Sequence, residues 1–186
     1  MFSKQQLKSL VKLESAVTEM NRLTTAPMVP RRAMKPTELA LRSGTYTFEV
    51  GDDLALFPPT THLDPEIYED PYSFRFDRFL PDESGAPARF FKDDERVHFN
   101  LLPFGAGVSM CPGRFFAIAA AWSCPRRCGR RCTAPRNEFK IAVAVLLSSF
   151  DIELLTTAVP KQDVGRTGFG TLPPVEDVPF RYRRRA

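Results

Sequence analysis

No stretch of this 186-residue chain approaches the run of roughly 18 apolar residues that a membrane span needs, so none is expected to cross a bilayer. Met1 to Leu13 lacks the charged-then-apolar pattern of a secretory leader. There is no internal repeat and no low-complexity tract. Histidine is scarce: His62 and His98 are the only two. Acidic residues are missing altogether from positions 119–136, AAAWSCPRRCGRRCTAPR. That block holds three of the four cysteines, the sole tryptophan and five arginines. Without it the chain has 21 Lys+Arg against 22 Asp+Glu, so the +4 net charge is a property of these residues alone. Cys124, Cys128 and Cys132 lack the paired Cys or His partners of a zinc site. The arginines come without interleaved aromatics, so no nucleic-acid partner is expected. Pro125, Gly129 and Pro135 would break a helix. Deleting the block fuses Phe115–Ile118 to Asn137–Val143 in one helix-like stretch. Residues 119–136 are therefore expected to be a non-native insertion without packed contacts to the core.

What is present is enough chain and enough apolar content, 43%, for one domain with a core. Seventeen prolines punctuate it, so Pro27 to Phe99 should hold short strands and long loops. Leu7 to Thr24 carries Leu7, Leu10, Val11, Val17 and Met20 at helical spacing and predicts an amphipathic helix. Tyr46–Val50 and Leu54–Phe57 flank Gly51-Asp52 and predict a hairpin. A helix is expected over Asn137 to Ser149, and short strands near Ile152–Leu155 and Phe180–Tyr182.

The stretch Pro103-Phe104-Gly105-Ala106-Gly107-Val108-Ser109-Met110-Cys111-Pro112-Gly113-Arg114 sets one thiol in a glycine-rich loop before a helix-like segment. Glycine tolerates positive φ and lets backbone approach a ligand closely. Backbone N–H groups and a helix N-terminus both favour a thiolate there. Phe104, Gly107, Cys111 and Gly113 have the spacing Phe-x-x-Gly-x-x-x-Cys-x-Gly, which resembles the haem-thiolate loop of the cytochromes P450. Upstream, Glu19 and Arg22 are three apart and share a helix face; they resemble the family's Glu-x-x-Arg pair. Phe74-Arg75-Phe76-Asp77-Arg78-Phe79 is similar to the loop that donates a second arginine, matched here by Arg78. Gly51–Pro58, Gly168–Pro174 and Asp177–Tyr182 narrow the likeness to the vertebrate group of sterol 12α-hydroxylase, cholesterol 7α-hydroxylase and prostacyclin synthase. Val108–Ala117 leans toward the first, His62–Tyr68 toward the other two.

The resemblance implies a mainly α fold with small β-sheets, of which this chain is the C-terminal, haem-loop part. Residues 1–186 form an incomplete P450 domain. The family's oxygen-activating helix and its N-terminal membrane anchor have no counterpart here. The implied cofactor is haem b, with Cys111 as the axial thiolate to iron and Phe104, Gly105, Gly107, Gly113 and Arg31 around it. Arg31 matches an arginine that pairs with a haem propionate; Ser109 stands where many members carry a further basic residue. Glu19, Arg22 and Arg78 are expected to form a buried structural network. The implied activity of the full-length protein is monooxygenation of a sterol or related lipid. Electrons would come from NADPH–cytochrome P450 reductase at the endoplasmic reticulum membrane. A prostacyclin-synthase-like isomerase and a truncated, non-catalytic product remain as alternatives, and the fragment alone is expected to be inactive.

Overall fold

A computed structural model of the chain describes residues 9–112, 137–167 and 169–185. Gly113, Leu7 and the whole block 119–136 lie outside them.

Helix α1 spans Val11–Thr24. Its last turns are knit by threonines whose hydroxyls donate back to the preceding turn, Thr18 to the Glu14 carbonyl at 2.7 Å and Thr24 to that of Met20 at 2.8 Å. It ends where Thr25 turns to extended backbone, two residues before Pro27. Leu10 interrupts the helix expected from Leu7, a residue outside the described ones, and the apolar pattern marks the buried side at Val17 alone. Ser15, Val17, Thr18, Glu19 and Arg22 are the buried residues, whereas Val11 is exposed. The reason is that hydrogen-bonded polar groups, rather than aliphatic contacts, dock this helix.

Among the described residues five two-stranded antiparallel sheets follow. Strand β1 (Thr25–Pro27) pairs with β9 (Phe169–Thr171), tying the C-terminal region to the end of α1. The Gln162 side chain donates to the Leu23 carbonyl at 3.1 Å and strengthens that tie. Strand β2 (Val29–Arg32) pairs with β5 (Asp53–Leu56), and β3 (Thr37–Leu41) with β4 (Gly44–Phe48). β6 (Phe91–Lys92) and β7 (Glu95–Arg96) form a hairpin whose turn residues Asp93 and Asp94 both have positive φ. The hairpin expected between Tyr46–Val50 and Leu54–Phe57 is thus not formed. The two segments are strands of different sheets. Gly51 N–H donates to the Ala33 carbonyl and Ala33 N–H to that of Asp52, both at 2.9 Å, so the turn at Gly51 extends the β2–β5 ladder.

Short helix α2 (Pro59–His62) opens the proline-rich loops as a single turn. Helix α3 spans Asn137–Ser149, as its sequence suggests, and packs on α1 and on β8 (Phe150–Leu154). β8 pairs with β10 (Phe180–Arg184). Among the described residues ten strands stand beside three α-helices, so the expected mainly α character is not what they display. They are the part of the chain where prolines and turns favour short extended pieces. None of the described helices is long and apolar enough to cross a membrane.

Among the described residues the core is small in aliphatic terms: Val17, Ala26, Val29, Ala33 and Leu172 are its apolar members beside Tyr68. Its largest fully buried side chains are Arg22, Tyr68, His62, Glu19 and Ser15. A core of that make-up holds only if each polar group is partnered, because an unpaired buried charge is costly.

Candidate functional site

Glu19 lies at the centre of the buried group. Its Oε2 accepts from Arg22 Nε and its Oε1 from Arg22 Nη2, both at 2.8 Å, a bidentate pair across one helical turn. Oε1 also accepts from Arg78 Nε at 3.0 Å and from the Arg75 backbone N–H at 3.2 Å. The side chains of Glu19 and Arg22 are 0% exposed and that of Arg78 6%. Glu19, Arg22 and Arg78 therefore meet in space despite the separation of 59 residues between Glu19 and Arg78.

The arginines spend their other donors on loop carbonyls. Arg22 Nη1 donates to the carbonyls of His62 at 2.6 Å and Pro71 at 2.7 Å. Arg78 Nη1 donates to that of Glu69 at 2.7 Å, and its Nη2 to those of Asp70 and Ser73 at 3.3 Å. Both guanidinium groups lie over the Tyr68 ring, Arg22 at 4.8 Å from its centroid. Tyr68 packs with Phe79 and Phe90, its hydroxyl donates to the Asn100 carbonyl, and burial pushes its pKa up to about 12. Burial by itself would raise the Glu19 carboxyl, but the hydrogen bonds from Arg22 and Arg78 hold it below its ordinary range. The cluster is thus ionised and closes loop 62–78 onto α1.

The second part of the site is the cysteine loop. Leu102 to Gly105 forms a turn through the Gly105 N–H and the Leu102 carbonyl at 3.1 Å. A 3₁₀ turn at Gly107–Ser109 follows, closed by Met110 N–H to the Gly107 carbonyl at 3.1 Å. Cys111 N–H then donates to the Phe104 carbonyl at 2.9 Å, which loops the chain back and puts the exposed Cys111 beside Phe104. Gly105 and Gly107 have φ of 70° and 66°, a conformation suited to glycine. A Cβ on Gly107 would come within 3.0 Å of Arg31 Nη2, and one on Gly105 within 3.1 Å of Val29. Arg31, on β2, reaches the loop through a hydrogen bond from Nη2 to the Ala106 carbonyl, and Nη1 donates to the Pro30 carbonyl at 2.8 Å. The structure therefore brings Arg31, Phe104, Gly105, Gly107 and Cys111 together.

Beside Cys111 lies a cavity of about 320 Å³, lined by Pro27, Met28, Val29, Phe104, Gly105 and Thr171 among others. A soft thiol at the edge of an apolar cavity, with an arginine bonded to the same loop at Ala106, is a donor set suited to iron porphyrin with acidic side arms. Arg31 carries five N–H donors and uses two on backbone, so donors remain for a carboxylate. Among the described residues no group of three or more His, Cys, Asp or Glu could hold a bare metal ion.

His62 was not singled out as a site residue in the sequence. It is 0% exposed, and its Nε2 accepts the Leu102 N–H at 2.8 Å. Nδ1 then carries the proton; the Thr25 backbone favours that proton, although no hydrogen bond of regular geometry forms. Burial lowers the imidazole pKa to about 4. No motif marks this residue, because its partners, the Arg22 guanidinium at its carbonyl and the Leu102 N–H at its ring, lie 40 residues away on either side in sequence.

Comparison with known proteins follows the same outline. The sequence profile described as Cytochrome P450 matches residues 2–121. The chain is 36% identical to 25-hydroxycholesterol 7-alpha-hydroxylase of Rattus norvegicus, over 100% of this chain and 40% of that protein. It is 39% identical to 7-alpha-hydroxycholest-4-en-3-one 12-alpha-hydroxylase of Homo sapiens, over 92% of this chain and 31% of that protein. The chain spans only about a third to two fifths of the length of these curated relatives. Among solved structures, a cytochrome P450 superposes with a TM-score of 0.68 at 24% identity, covering 100% of this chain and 34% of that one. A retinoic-acid-bound cyanobacterial P450 gives 0.67 at 21%, covering 100% and 35%. At those identities the likeness to the solved structures is one of fold.

Proposed function

The chain belongs to the cytochrome P450 family and carries part of its fold; from that premise we propose that it is the thiolate-bearing part of a haem monooxygenase that hydroxylates a sterol. The observation that carries the reading is the folded cysteine loop, with the exposed Cys111 beside an apolar cavity, its N–H held by the Phe104 carbonyl and the loop pinned at Ala106 by Arg31. The sterol assignment rests on the relatives, both named as hydroxylases of cholesterol derivatives. They favour hydroxylation over the isomerase alternative.

In this reading Cys111 would be the thiolate that holds the haem iron, and haem, when bound, would supply oxygen chemistry tuned by that electron-rich sulfur. The chain's own residues hold that ligand in place. The Phe104 carbonyl fixes the Cys111 N–H. Gly105 and Gly107 let β2 approach the loop; Gly113, the last matched position, lies outside the described residues. Arg31 pins the loop at Ala106 and offers its remaining donors to a propionate. Glu19, Arg22 and Arg78 are structural: they fasten α1 to the loops below the cysteine. The electron donor is a flavoprotein, NADPH–cytochrome P450 reductase, and the setting is the endoplasmic reticulum membrane.

The test is spectroscopic. Reduced protein with carbon monoxide should absorb at the position characteristic of thiolate-ligated haem. Cys111→Ala should abolish that band and Cys124→Ala should leave it. A sterol titration should perturb the haem spectrum of the same sample. A band unchanged in Cys111→Ala sinks the assignment.

A further inference from the structure

The buried charge cluster and the cysteine loop are separate constructions, and one residue touches both. The His62 carbonyl accepts from Arg22 Nη1 at 2.6 Å, and its ring Nε2 accepts from the Leu102 N–H at 2.8 Å. Leu102 is the first residue of the turn whose third hydrogen-bonding step reaches the ligand. Its carbonyl holds Gly105 N–H at 3.1 Å, and the intervening Phe104 carbonyl holds Cys111 N–H at 2.9 Å. The ring is 0% exposed, so water does not replace it as the acceptor for Leu102. A buried N–H deprived of its acceptor bears the full desolvation cost, which pulls the turn out of place.

We propose that His62 is a positioning residue that couples the Glu19–Arg22–Arg78 cluster to the cysteine loop, its neutral imidazole holding the Leu102 N–H at the base of the loop. This rests on the reading of Cys111 as the haem ligand. It extends that reading by naming what sets the loop's height above the core. The neutral ring is a requirement: an imidazolium has donors at both nitrogens and cannot accept from Leu102. The surroundings keep it neutral. From α1 the group facing it is the Arg22 cation, whose partner Glu19 one link further away is shared with Arg78, so the cluster carries two cations and one anion. From β1 it meets the uncharged Thr25, and from the loop the backbone of Leu102. No carboxylate pairs with the ring among the described residues. Burial accordingly lowers its pKa to about 4.

The experiment pairs two substitutions with two readouts. His62→Phe keeps a planar ring and the carbonyl that Arg22 uses, but has no acceptor; His62→Gln offers an amide oxygen near the place of Nε2. Amide hydrogen exchange at Leu102 should speed up at least tenfold in His62→Phe, while amides of α1 keep their protection. His62→Gln should restore most of that protection. In the haem-loaded protein the reduced carbon monoxide band should lose its thiolate position in His62→Phe and regain it in His62→Gln. Unchanged Leu102 exchange in His62→Phe, or equal damage in both variants, overturns the proposal. If His62→Phe does not fold, the unsubstituted protein decides. On acidification toward pH 4, Leu102 protection should be lost before that of α1; simultaneous loss refutes the link. Exchange needs no haem, so its failure refutes the role of His62 alone. A thiolate band that survives Cys111→Ala refutes the underlying reading instead.

Discussion

Replacing Glu19 by Gln keeps the shape of the side chain and removes the one anion between two buried arginines. In the folded chain the two carboxylate oxygens accept four hydrogen bonds, from Arg22 Nε and Nη2, Arg78 Nε and the Arg75 N–H. A carboxamide has one accepting oxygen, so its NH₂ must face a guanidinium donor whichever way it turns. Arg22 and Arg78, 0% and 6% exposed, are left as uncompensated charges. Breaking a buried pair by removing one partner costs about 3–5 kcal/mol. That is a large share of the roughly 5–15 kcal/mol that an ordinary domain has. With a urea slope of about 2 kcal/mol/M, the unfolding midpoint should fall by roughly 2 M. The control is Arg32→Ala, which breaks the Arg32–Asp53 pair at side-chain exposures of 64% and 63% and should barely move the midpoint. Coupling is checked by adding Arg78→Met: with one cation gone, Glu19→Gln should cost less than it does alone. A midpoint for Glu19→Gln within experimental error of that for Arg32→Ala would refute the reasoning, since it would mean that solvent, not the carboxylate, compensates the arginines.

Two other outcomes follow from the site. Gly107→Ala should cost about 1–2 kcal/mol from its left-handed backbone, plus the displacement of Arg31, whose Nη2 lies 3.0 Å from the new Cβ. Gly85→Ala has a φ of 80° and open space, so it should show the backbone cost alone; urea midpoints and haem affinity of the two variants separate the effects. Acid should destabilise the chain in two windows. His62 has its folded pKa lowered to about 4 from 6.5, so its contribution, roughly 3 kcal/mol, is complete above pH 6.5 and fades as pH falls toward 4. Glu19 is also lowered, so its share is present above its ordinary 4.5 and is lost only below that. Urea midpoints from pH 8 to pH 3 read both, and stability that rises between pH 6.5 and pH 4 contradicts the buried neutral imidazole.

Much of the site was legible because its signals are local. Glycines at fixed offsets from Cys111 predict a loop of unusual backbone, and Gly105 and Gly107 do adopt positive φ. Glu19 and Arg22 are three apart, so any helix through them sets both on one face. The apolar run from Ile141 predicts the helix found at Asn137–Ser149. Prolines from Pro27 onward forbid long elements, and the strands there are two to five residues long. The sequence by itself determined, in addition, the family, since that rests on residue identities at matched spacing.

Strand partnership and the buried face of α1 were decided only in the folded chain. Tyr46 and Leu54 have the alternation of a hairpin, yet β4 turns to β3 and β5 to β2, because the Ala33 backbone completes the ladder at Gly51 and Asp52. Every amide offers the same two hydrogen-bonding groups, so side-chain pattern cannot say which distant amide wins. The apolar stripe of α1 likewise yields to Glu19, Arg22 and Ser15, whose partners are the Arg78 side chain and the backbone of loop residues 62 to 79. His62 is the extreme case. Its chemistry is that of an ordinary histidine until burial makes the ring neutral and two donors, the Arg22 guanidinium at its carbonyl and the Leu102 N–H at its ring, make it the connection between the two parts of the site.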